Sequence, residues 1–201
     1  MKVLVACEES QTVCIAFRNL GHEAYSCDLQ ECSGNHPEWH IQTDALNILN
    51  DNWDLIIAHP PCTYLSNAGA RWLYKNGHIN IERYEKGLKA KEFFLKILNA
   101  ECERIAIENP MPSKIYDLPK CSQIIQPFEF GDPYSKKTYL WLKGLPPLFA
   151  TGIYMKYKPF IYSGSYKKDH DKFYMGVAKT AKERSKTFKG IAAAMADQWG
   201  G

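Results

Sequence analysis

Residues 55–62 read Leu55-Ile56-Ile57-Ala58-His59-Pro60-Pro61-Cys62, and this stretch indicates the fold of the 201-residue chain. Four consecutive apolar residues, two of them β-branched, are typical of a strand that is buried on both faces. The two prolines then stop the strand, because proline has no N–H to give to a sheet ladder. Further strands are predicted at 3–6, 22–27 and 104–107.

Helical segments separate these strands. Apolar residues recur at helical spacing from Gln11 to Leu20, and Gly21 follows as a helix stop. A short helix is predicted at 45–50, and the longest helix runs from Ile81 to about Ala100. Alternation of buried strands and helices predicts an α/β, Rossmann-like fold, with a mostly parallel sheet and helices on both faces.

The pattern changes in the second half of the chain. Residues 122–130 and 138–143 predict a strand pair joined across Gly131-Asp132-Pro133, which favours an antiparallel edge to the sheet. Residues 144–179 are rich in Pro, Gly, Tyr and Lys and indicate an irregular insertion, and a last helix is predicted from Lys182 to Trp199. We expect one domain over residues 1–201, with 144–179 as a basic, aromatic-rich insertion within it.

Composition excludes several classes of protein. Hydrophobic residues make up 45% and charged residues 23%, which is ordinary for a globular domain. The apolar run at the start is too short for a signal peptide or a membrane span. Seven cysteines in no scaffold-like spacing then favour reduced thiols in the cytoplasm.

Four residues have a spacing that zinc could use, namely Cys27, Cys32, His36 and His40. However, Cys27 ends a predicted strand and is expected to point into the core. The favoured interpretation is therefore ordinary core and surface residues, and no metal is expected.

Charge is distributed unevenly. Residues 151–190 hold ten Lys/Arg and three Asp/Glu, although the net charge of the whole chain is only +3. A cationic strip on a nearly neutral body is typical of a protein that binds nucleic acid. The alternative is a solvated, lysine-rich surface without a partner.

Polar residues follow each of the four predicted parallel strands. Ligands of open α/β sheets bind outside the carboxyl ends of the strands, so these residues are the candidates for a site. They are Cys7-Glu8-Glu9-Ser10, Asp28-Leu29, His59-Pro60-Pro61-Cys62 and Glu108-Asn109-Pro110.

The motifs Pro60-Pro61-Cys62 and Glu108-Asn109-Pro110, in this order and at strand ends, resemble the paired Pro-Cys and Glu-Asn-Val motifs of the cytosine-C5 DNA methyltransferases. The segments 131–138 and 188–195 are similar to later motifs of that family, so the resemblance extends over nearly the whole chain. Residues 55–66 in particular resemble small, phage-encoded members. The resemblance implies a methyltransferase fold of Rossmann type and methyl transfer to carbon 5 of cytosine in DNA.

The resemblance also implies roles for individual residues. Cys62 would be the nucleophile that attacks C6 of the base, which makes C5 reactive toward a methyl group. Its thiol must ionise first, which a cationic neighbour promotes. Glu108 would donate a proton to N3 of the base. Lys136 and Lys137 take the place of family arginines, and lysine keeps the charge without the bidentate geometry.

The implied cofactor is S-adenosylmethionine, and its expected site departs from the family. The family's first loop is glycine-rich, whereas this chain has Cys7, Glu8, Glu9 and Ser10 there. The acids would hold the methionine ammonium group, and Ser10 would cap the following helix. The resemblance assigns Asp28 to the ribose, Leu29 to the apolar residue beside that acid, Asp44 to the acid that contacts adenine, and Pro60 to the cofactor site.

The substrate is expected to be DNA or a cytosine nucleotide, contacted by Pro61, Asn109, Lys167 and Lys168. The recognition region is reduced to about 150–179, where lysines and aromatic residues alternate. That mixture suits phosphate contact and base stacking. Alternatively, the aromatic residues pack the insertion onto the sheet.

Two other functions remain open. Amino methyltransferases that act on adenine N6 or cytosine N4 have a polar residue before Pro-Pro and an aromatic residue after it, whereas this chain has His59 and Cys62. The second alternative is a non-catalytic relative that binds nucleic acid and has lost the cofactor. The missing glycines favour it.

Overall fold

The computed structural model describes residues 1–161, 178 and 180–201, and a seven-stranded sheet forms its centre. The described strands, in chain order, are β1 Lys2–Ala6, β2 Glu23–Asp28, β3 His40–Gln42, β4 Leu55–Ala58, β5 Tyr74–Lys75, β6 His78–Ile79, β7 Ile105–Asn109, β8 Gln123–Ile125, β9 Tyr134–Ser135, β10 Thr138–Lys143 and β11 Lys158–Pro159. The described α-helices are α1 Thr12–Asn19, α2 Ile81–Leu98, α3 Ala181–Ser185 and α4 Lys189–Trp199.

The strand order of the main sheet is β3-β2-β1-β4-β7-β10-β8. The first five strands pair in parallel, whereas β10 runs antiparallel to both of its neighbours, β7 and β8. The strand order reverses next to β1, so the carboxyl ends of β1 and β4 border a crevice. The predicted architecture is confirmed: the sheet is mostly parallel and Rossmann-like, with helices on both faces and an antiparallel edge.

Alternate residues of each central strand enter two separate cores. Val3 and Val5 of β1 face α1 and α4, where Trp199 and Phe17 are fully buried. Leu4 of β1 faces the other side, which α2 covers. Side chains of neighbouring strand residues point to opposite faces, so a strand with both faces covered must be apolar at every position. This explains the unbroken run Leu55–Ala58.

Several local predictions need correction. The predicted strand at 122–130 ends at Ile125, because Pro127–Glu129 form a 3-10 turn. The predicted short helix at 45–50 is a 3-10 turn over Ala45–Asn47. The predicted last helix is two helices, because Lys186 and Phe188 have extended backbone. The sequence analysis also missed the small hairpin of β5 and β6.

The insertion is described only in part. Residues 144–157 contain no α-helix or strand, and β11 then pairs in parallel with β9. Residues 162–177 lie outside the described residues, so the single-domain organisation and the extent of the insertion stay predictions. Within the described residues, no helix combines the length and apolar character needed to cross a membrane.

Candidate functional site

The sheet register places the ends of β4 and β7 side by side. Ala58 of β4 pairs with Ile107 of β7, so the next residues along the two strands, His59 and Glu108, are neighbours. The two loops that follow are tied together as well. Ser113 N–H donates to the Leu65 carbonyl at 2.7 Å, and Asn67 N–H donates to the Met111 carbonyl at 2.8 Å. The site therefore rests on two adjacent strands and two loops that hydrogen bonds hold together.

His59 and Glu108 form a buried ion pair. His59 Nδ1 lies 2.9 Å from Glu108 Oε2, and both side chains are less than one-tenth exposed. Burial works against a charged imidazole, but the hydrogen bond and charge of Glu108, together with the charge of Glu8, outweigh it and raise the pKa of His59. Burial would likewise raise the pKa of Glu108, but Lys136 and His59 lower it. The two shifts together favour an imidazolium and carboxylate pair over a neutral one.

Lys136 supplies a second cation at this pair. Its Nζ donates to the Arg184 carbonyl at 2.9 Å, and its backbone N–H donates to Gln126 Oε1, also at 2.9 Å. The ammonium group is thereby fixed at the end of α3, where its charge lowers the pKa of Glu108. This supports the predicted position of Lys136. Lys137 is exposed, and among the described residues no hydrogen bond or ion pair joins it to Glu108 or Cys62.

Cys62 lies half-buried after the two prolines. Burial and the charge of Glu108 raise the pKa of its thiol, whereas Lys136 and Arg184 act in the opposite direction. In this state of the site the thiol is therefore protonated at neutral pH. The predicted activation by a cationic neighbour is present in Lys136, but the carboxylate of Glu108 opposes it.

Two buried polar atoms at this site have no hydrogen-bond partner among the described residues. They are His59 Nε2 and Asn109 Oδ1. Asn109 uses its amide nitrogen to donate to the Pro60 carbonyl at 3.0 Å, which holds the Pro-Pro turn against β7. Buried polar groups are nearly always paired, so unpaired ones beside a crevice favour a ligand that supplies a donor and an acceptor.

The first loop differs from the prediction at Glu8 and Ser10. Glu8 is buried, and its carboxylate accepts from the N–H groups of Val13 at 2.7 Å and Cys14 at 3.1 Å. Glu8 therefore satisfies the first turn of α1, and its oxygens are engaged there rather than turned toward a cofactor ammonium. The predicted cap by Ser10 is wrong, because the Ser10 hydroxyl bonds the Thr12 hydroxyl instead.

Gln11 fills space in this loop. Its buried amide donates to the Ser26 hydroxyl and the His36 carbonyl, and it accepts from His36 N–H. Both Cys7 and Gln11 adopt positive φ, at 59° and 58°, which is the conformation that glycine adopts without strain. The loop thus keeps a glycine-like backbone without glycine. Gly34 packs on it, and a Cβ there would meet the Gln11 Cβ at 2.5 Å.

The remaining cofactor candidates lie along the ends of β1, β2 and β3. Asp28 accepts from Gln30 N–H at 2.9 Å, and Asp44 accepts from Leu46 N–H at 3.0 Å. Burial and then the charges of Asp28, Cys27 and Asp44 raise the pKa of the Cys7 thiol, so the two carboxylates flank Cys7. The Leu29 side chain is 71% exposed beside them. The buried Glu9 Oε2 has no hydrogen bond and lies 3.5 Å from Lys182 Nζ, an ion pair beyond hydrogen-bond length.

Two of these acids match groups that S-adenosylmethionine would present. A carboxylate at the end of β2 suits a ribose diol, so Asp28 stays the candidate for that contact. Glu9 Oε2, which has no hydrogen bond within the described part of the chain, suits an ammonium group better than the engaged carboxylate of Glu8. Pro60 is buried and Pro61 is exposed.

The described part of the insertion packs its aromatic residues in two ways. Phe160 contacts Phe188 and Tyr134 edge to face, with ring centroids 4.6 and 5.3 Å apart, so it anchors the insertion to the sheet. Tyr157 stacks on Phe128 at 4.1 Å. Both packing contacts support the alternative in which these rings attach the insertion to the sheet. Lys156 and Lys158 are exposed nearby, and the substrate candidates Lys167 and Lys168 lie outside the described residues.

Three of the four residues with zinc-like spacing, all but Cys32, have other partners. His40 contacts the Ser26 hydroxyl through Nδ1 and the Gln30 carbonyl through Nε2, and the Cys27 thiol donates to the Thr43 carbonyl. His36 stacks on Trp39 with centroids 3.9 Å apart. In the part of the chain that the structure describes, no cluster of three or more His, Cys, Asp or Glu side chains could hold a metal ion.

His59 was a candidate only as a residue after a predicted strand, and no role was assigned to it. The register places it beside Glu108. Two further residues at this site were not predicted. Thr187, whose hydroxyl lies 3.5 Å from His59 Nδ1, is in the break between α3 and α4, and Arg184 is within α3. The whole stretch was predicted as one continuous helix, so neither residue was assigned to the site.

Comparisons with known proteins complete the description of the site. No protein-family model matches the sequence, and no curated protein matches it. Among solved structures, the chain is similar to a protein proposed to be a DNA modification methyltransferase encoded within a prophage of E. coli, with 14% identity and a TM-score of 0.43. The similarity covers 70% of this chain and 45% of that one, so this chain spans less than half of the other protein's length.

Proposed function

We propose that this protein is a DNA methyltransferase that modifies carbon 5 of cytosine and uses S-adenosylmethionine. One observation carries the proposal: Cys62 and Glu108 lie at the carboxyl ends of two adjacent parallel strands, and Lys136 is close enough to act electrostatically on both. A thiol, a carboxyl group and a fixed cation are the groups that this chemistry requires.

The chain's own residues account for the activation of the base. The Cys62 sulfur forms a bond to C6, and the electron pair of the C5–C6 double bond moves through the ring toward N3. Glu108 delivers a proton to N3, so the ring carries no net negative charge, and C5 gains the character of an enamine carbon. After transfer, C5 loses its proton and the Cys62 sulfur leaves C6 with its electron pair, which restores the aromatic ring.

S-adenosylmethionine, when bound, supplies an electrophilic methyl group. Asp28 would bind the ribose hydroxyls, Asp44 the adenine, and Glu9 the ammonium group. Cys7 and Leu29 would line the cleft between them. In this arrangement Glu8 stays in the structure as the cap of α1, and Pro60 separates the cofactor side from the base side.

The direct test identifies the modified base. DNA is incubated with the protein and S-adenosylmethionine, digested to nucleosides and analysed by mass spectrometry against standards. The proposal expects 5-methyldeoxycytidine. Methylation on N4 of cytosine or on N6 of adenine would instead place the protein among the amino methyltransferases.

One observation favours a second candidate, a nucleic-acid-binding protein without catalysis. The first loop is filled by its own side chains, because Glu8 occupies the N-terminus of α1 and the Gln11 amide bonds Ser26 and His36. Calorimetric titration with S-adenosylmethionine separates the two candidates. Binding supports the enzyme, whereas binding of DNA without binding of the cofactor supports the second candidate.

A further inference from the structure

The base-activating step needs a proton that Glu108 does not hold. Lys136 and His59 lower the pKa of Glu108, so its carboxyl group is ionised in the resting site. An ionised carboxylate cannot protonate N3. The proton must reach Glu108 from a group in contact with it.

His59 is that contact. Its Nδ1 lies 2.9 Å from Glu108 Oε2, and the pair is shielded from solvent. The other charged groups that act on His59 are Glu8, at the start of α1, and Lys136, before β10. The Thr187 hydroxyl, 3.5 Å away, completes the surroundings of Nδ1. Glu8 and Glu108 both favour the imidazolium, and Lys136 opposes it.

We propose that His59 is a positioning residue that stores the proton for N3 and passes it through Glu108. This inference rests on the proposed function. As the Cys62 sulfur bonds to C6, Glu108 gives a proton to N3 and takes the Nδ1 proton of His59. The Cys62 thiol first loses its proton to solvent, to which the half-buried side chain is partly open. Imidazolium, thiolate and cytosine then become neutral imidazole and a neutral adduct, so charge and protons balance. Restoring the ring returns the proton along the same path.

The charge on Glu108 also links the His59–Glu108 pair to Cys62. While Glu108 carries its charge, it raises the pKa of the Cys62 thiol. Transfer of the His59 proton onto Glu108 removes that charge, and Lys136 and Arg184 then favour the thiolate. The arrangement therefore makes the nucleophile more reactive when the proton moves toward the base.

The first experiment does not depend on activity. Histidine labelled with ¹⁵N is followed by NMR across pH, and His59 is assigned by its loss in His59→Asn. The inference expects one of the six histidines to titrate above the usual value of about 6.5 and to titrate lower in Glu108→Gln. A His59 signal that titrates at or below the usual value, or that ignores Glu108→Gln, overturns it.

The second experiment measures kcat and KM against pH. Asparagine can place an N–H near the position of Nδ1 but cannot store a proton, so His59→Asn should lower kcat by roughly 10- to 100-fold with little change in KM. Its profile should also lack the fall in kcat that the parent shows as pH rises through the pKa of His59. His22→Gln is the matched control, because His22 packs on Phe17 away from the site.

The outcomes separate the two proposals. A parent that transfers no methyl group overturns the proposed function and this proton path together. An active parent whose kcat and pH profile survive His59→Asn overturns only the proton path. The titration is made on the parent and Glu108→Gln, and His59→Gln assigns the signal if His59→Asn misfolds, so one misfolded variant does not protect the inference.

Discussion

At the residue scale, neighbouring charges shift the pKa of the Cys62 thiol in opposite directions. Burial and Glu108 raise the pKa of its thiol, and Lys136 and Arg184 lower it. The balance holds the pKa of the thiol above its usual value, and loss of the charge on Glu108 would remove one of the two causes that raise it. A nucleophile held in this way is protected from oxidation in the resting protein, because the thiolate is the reactive form.

Replacing the nucleophile tests its role at this scale. Cys62→Ser should fold normally and lose methyl transfer completely, because a hydroxyl group has too high a pKa to attack C6 at neutral pH. Circular dichroism checks the fold, and transfer of a radiolabelled methyl group measures activity. Cys121→Ser, another half-buried cysteine, serves as the control and should keep full activity. A fully active Cys62→Ser protein would contradict the C5 mechanism.

Glu108→Gln separates two effects of one carboxylate. Turnover should fall by roughly a hundredfold or more, because glutamine cannot give a proton to N3. Alkylation of Cys62 by iodoacetamide should become faster at a given pH, because the charge that raises the thiol pKa is gone. Mass spectrometry of the Cys62 peptide measures the rate. Slower alkylation, or unchanged turnover, would show that Glu108 acts differently.

Cys62 and Glu108 could be identified from the sequence alone, because each lies in a short motif at the end of a predicted strand. It misassigned Glu8, since an acid after a strand suits both a ligand and the N-terminus of the next helix. Only the hydrogen bonds from Val13 and Cys14 decide between these roles. His59 was listed among the strand-end candidates without a role, because its contact with Glu108 depends on the pairing of β4 with β7.

At the scale of elements, the N-terminus of α1 depends on the buried carboxylate of Glu8. The first N–H groups of a helix lack partners within it, and here a buried carboxylate meets two of them. Burial raises the pKa of Glu8 to about 6, although His59 and the two N–H groups lower it in part. The helix is thus joined electrostatically to the site at the end of β4.

This pKa makes the stability of the fold depend on pH. The folded protein binds the Glu8 proton more tightly than the unfolded chain, so the stability from Glu8 is greatest below about pH 4.5 and declines as pH rises to about 6. Between pH 4 and pH 7 the parent should lose about 2 kcal/mol relative to Glu8→Gln. Urea unfolding across pH measures the difference.

The control for that series is Glu85→Gln, at an exposed position of α2. Its stability should follow the parent's at every pH. A difference between the parent and Glu8→Gln that stays constant or increases with pH would show that Glu8 does not titrate in this range.

Most elements were predictable, because buried parallel strands require continuous apolar runs. The bounds of β4 follow directly from Leu55–Ala58 and the prolines. The break between α3 and α4 could not be predicted from the sequence, because residues 186–188 contain neither glycine nor proline. There the backbone is extended, and Gly190 packs so closely on the Phe130 carbonyl that a side chain would not fit.

At the scale of the whole molecule, the excess of Lys and Arg over residues 151–190 predicts how DNA is held. Lysines act as point charges on phosphates, and this segment contains no arginine before Arg184. We therefore expect binding that depends steeply on salt and little on sequence, with preferences limited to one or two bases beside the target.

Replacing lysines of this segment tests the expectation. The double variant Lys156→Ala and Lys158→Ala, and separately Lys167→Ala with Lys168→Ala, should weaken binding to all sequences about equally. Each should make the salt dependence shallower by about one to two units of log–log slope. Fluorescence anisotropy at several salt concentrations measures this. Lys89→Ala with Lys120→Ala removes the same charge from exposed positions elsewhere and should leave the slope unchanged.

The central claim is that the Cys62 sulfur bonds to cytosine, and trapping that bond tests it most directly. A 5-fluorocytosine in the target DNA cannot lose its C5 substituent as a proton, so with S-adenosylmethionine present the adduct should persist. We predict a protein–DNA complex that survives denaturing electrophoresis, maps to the Cys62 peptide by mass spectrometry and is absent in Cys62→Ser. No adduct on DNA that the parent methylates, or an adduct on another residue, would contradict the account.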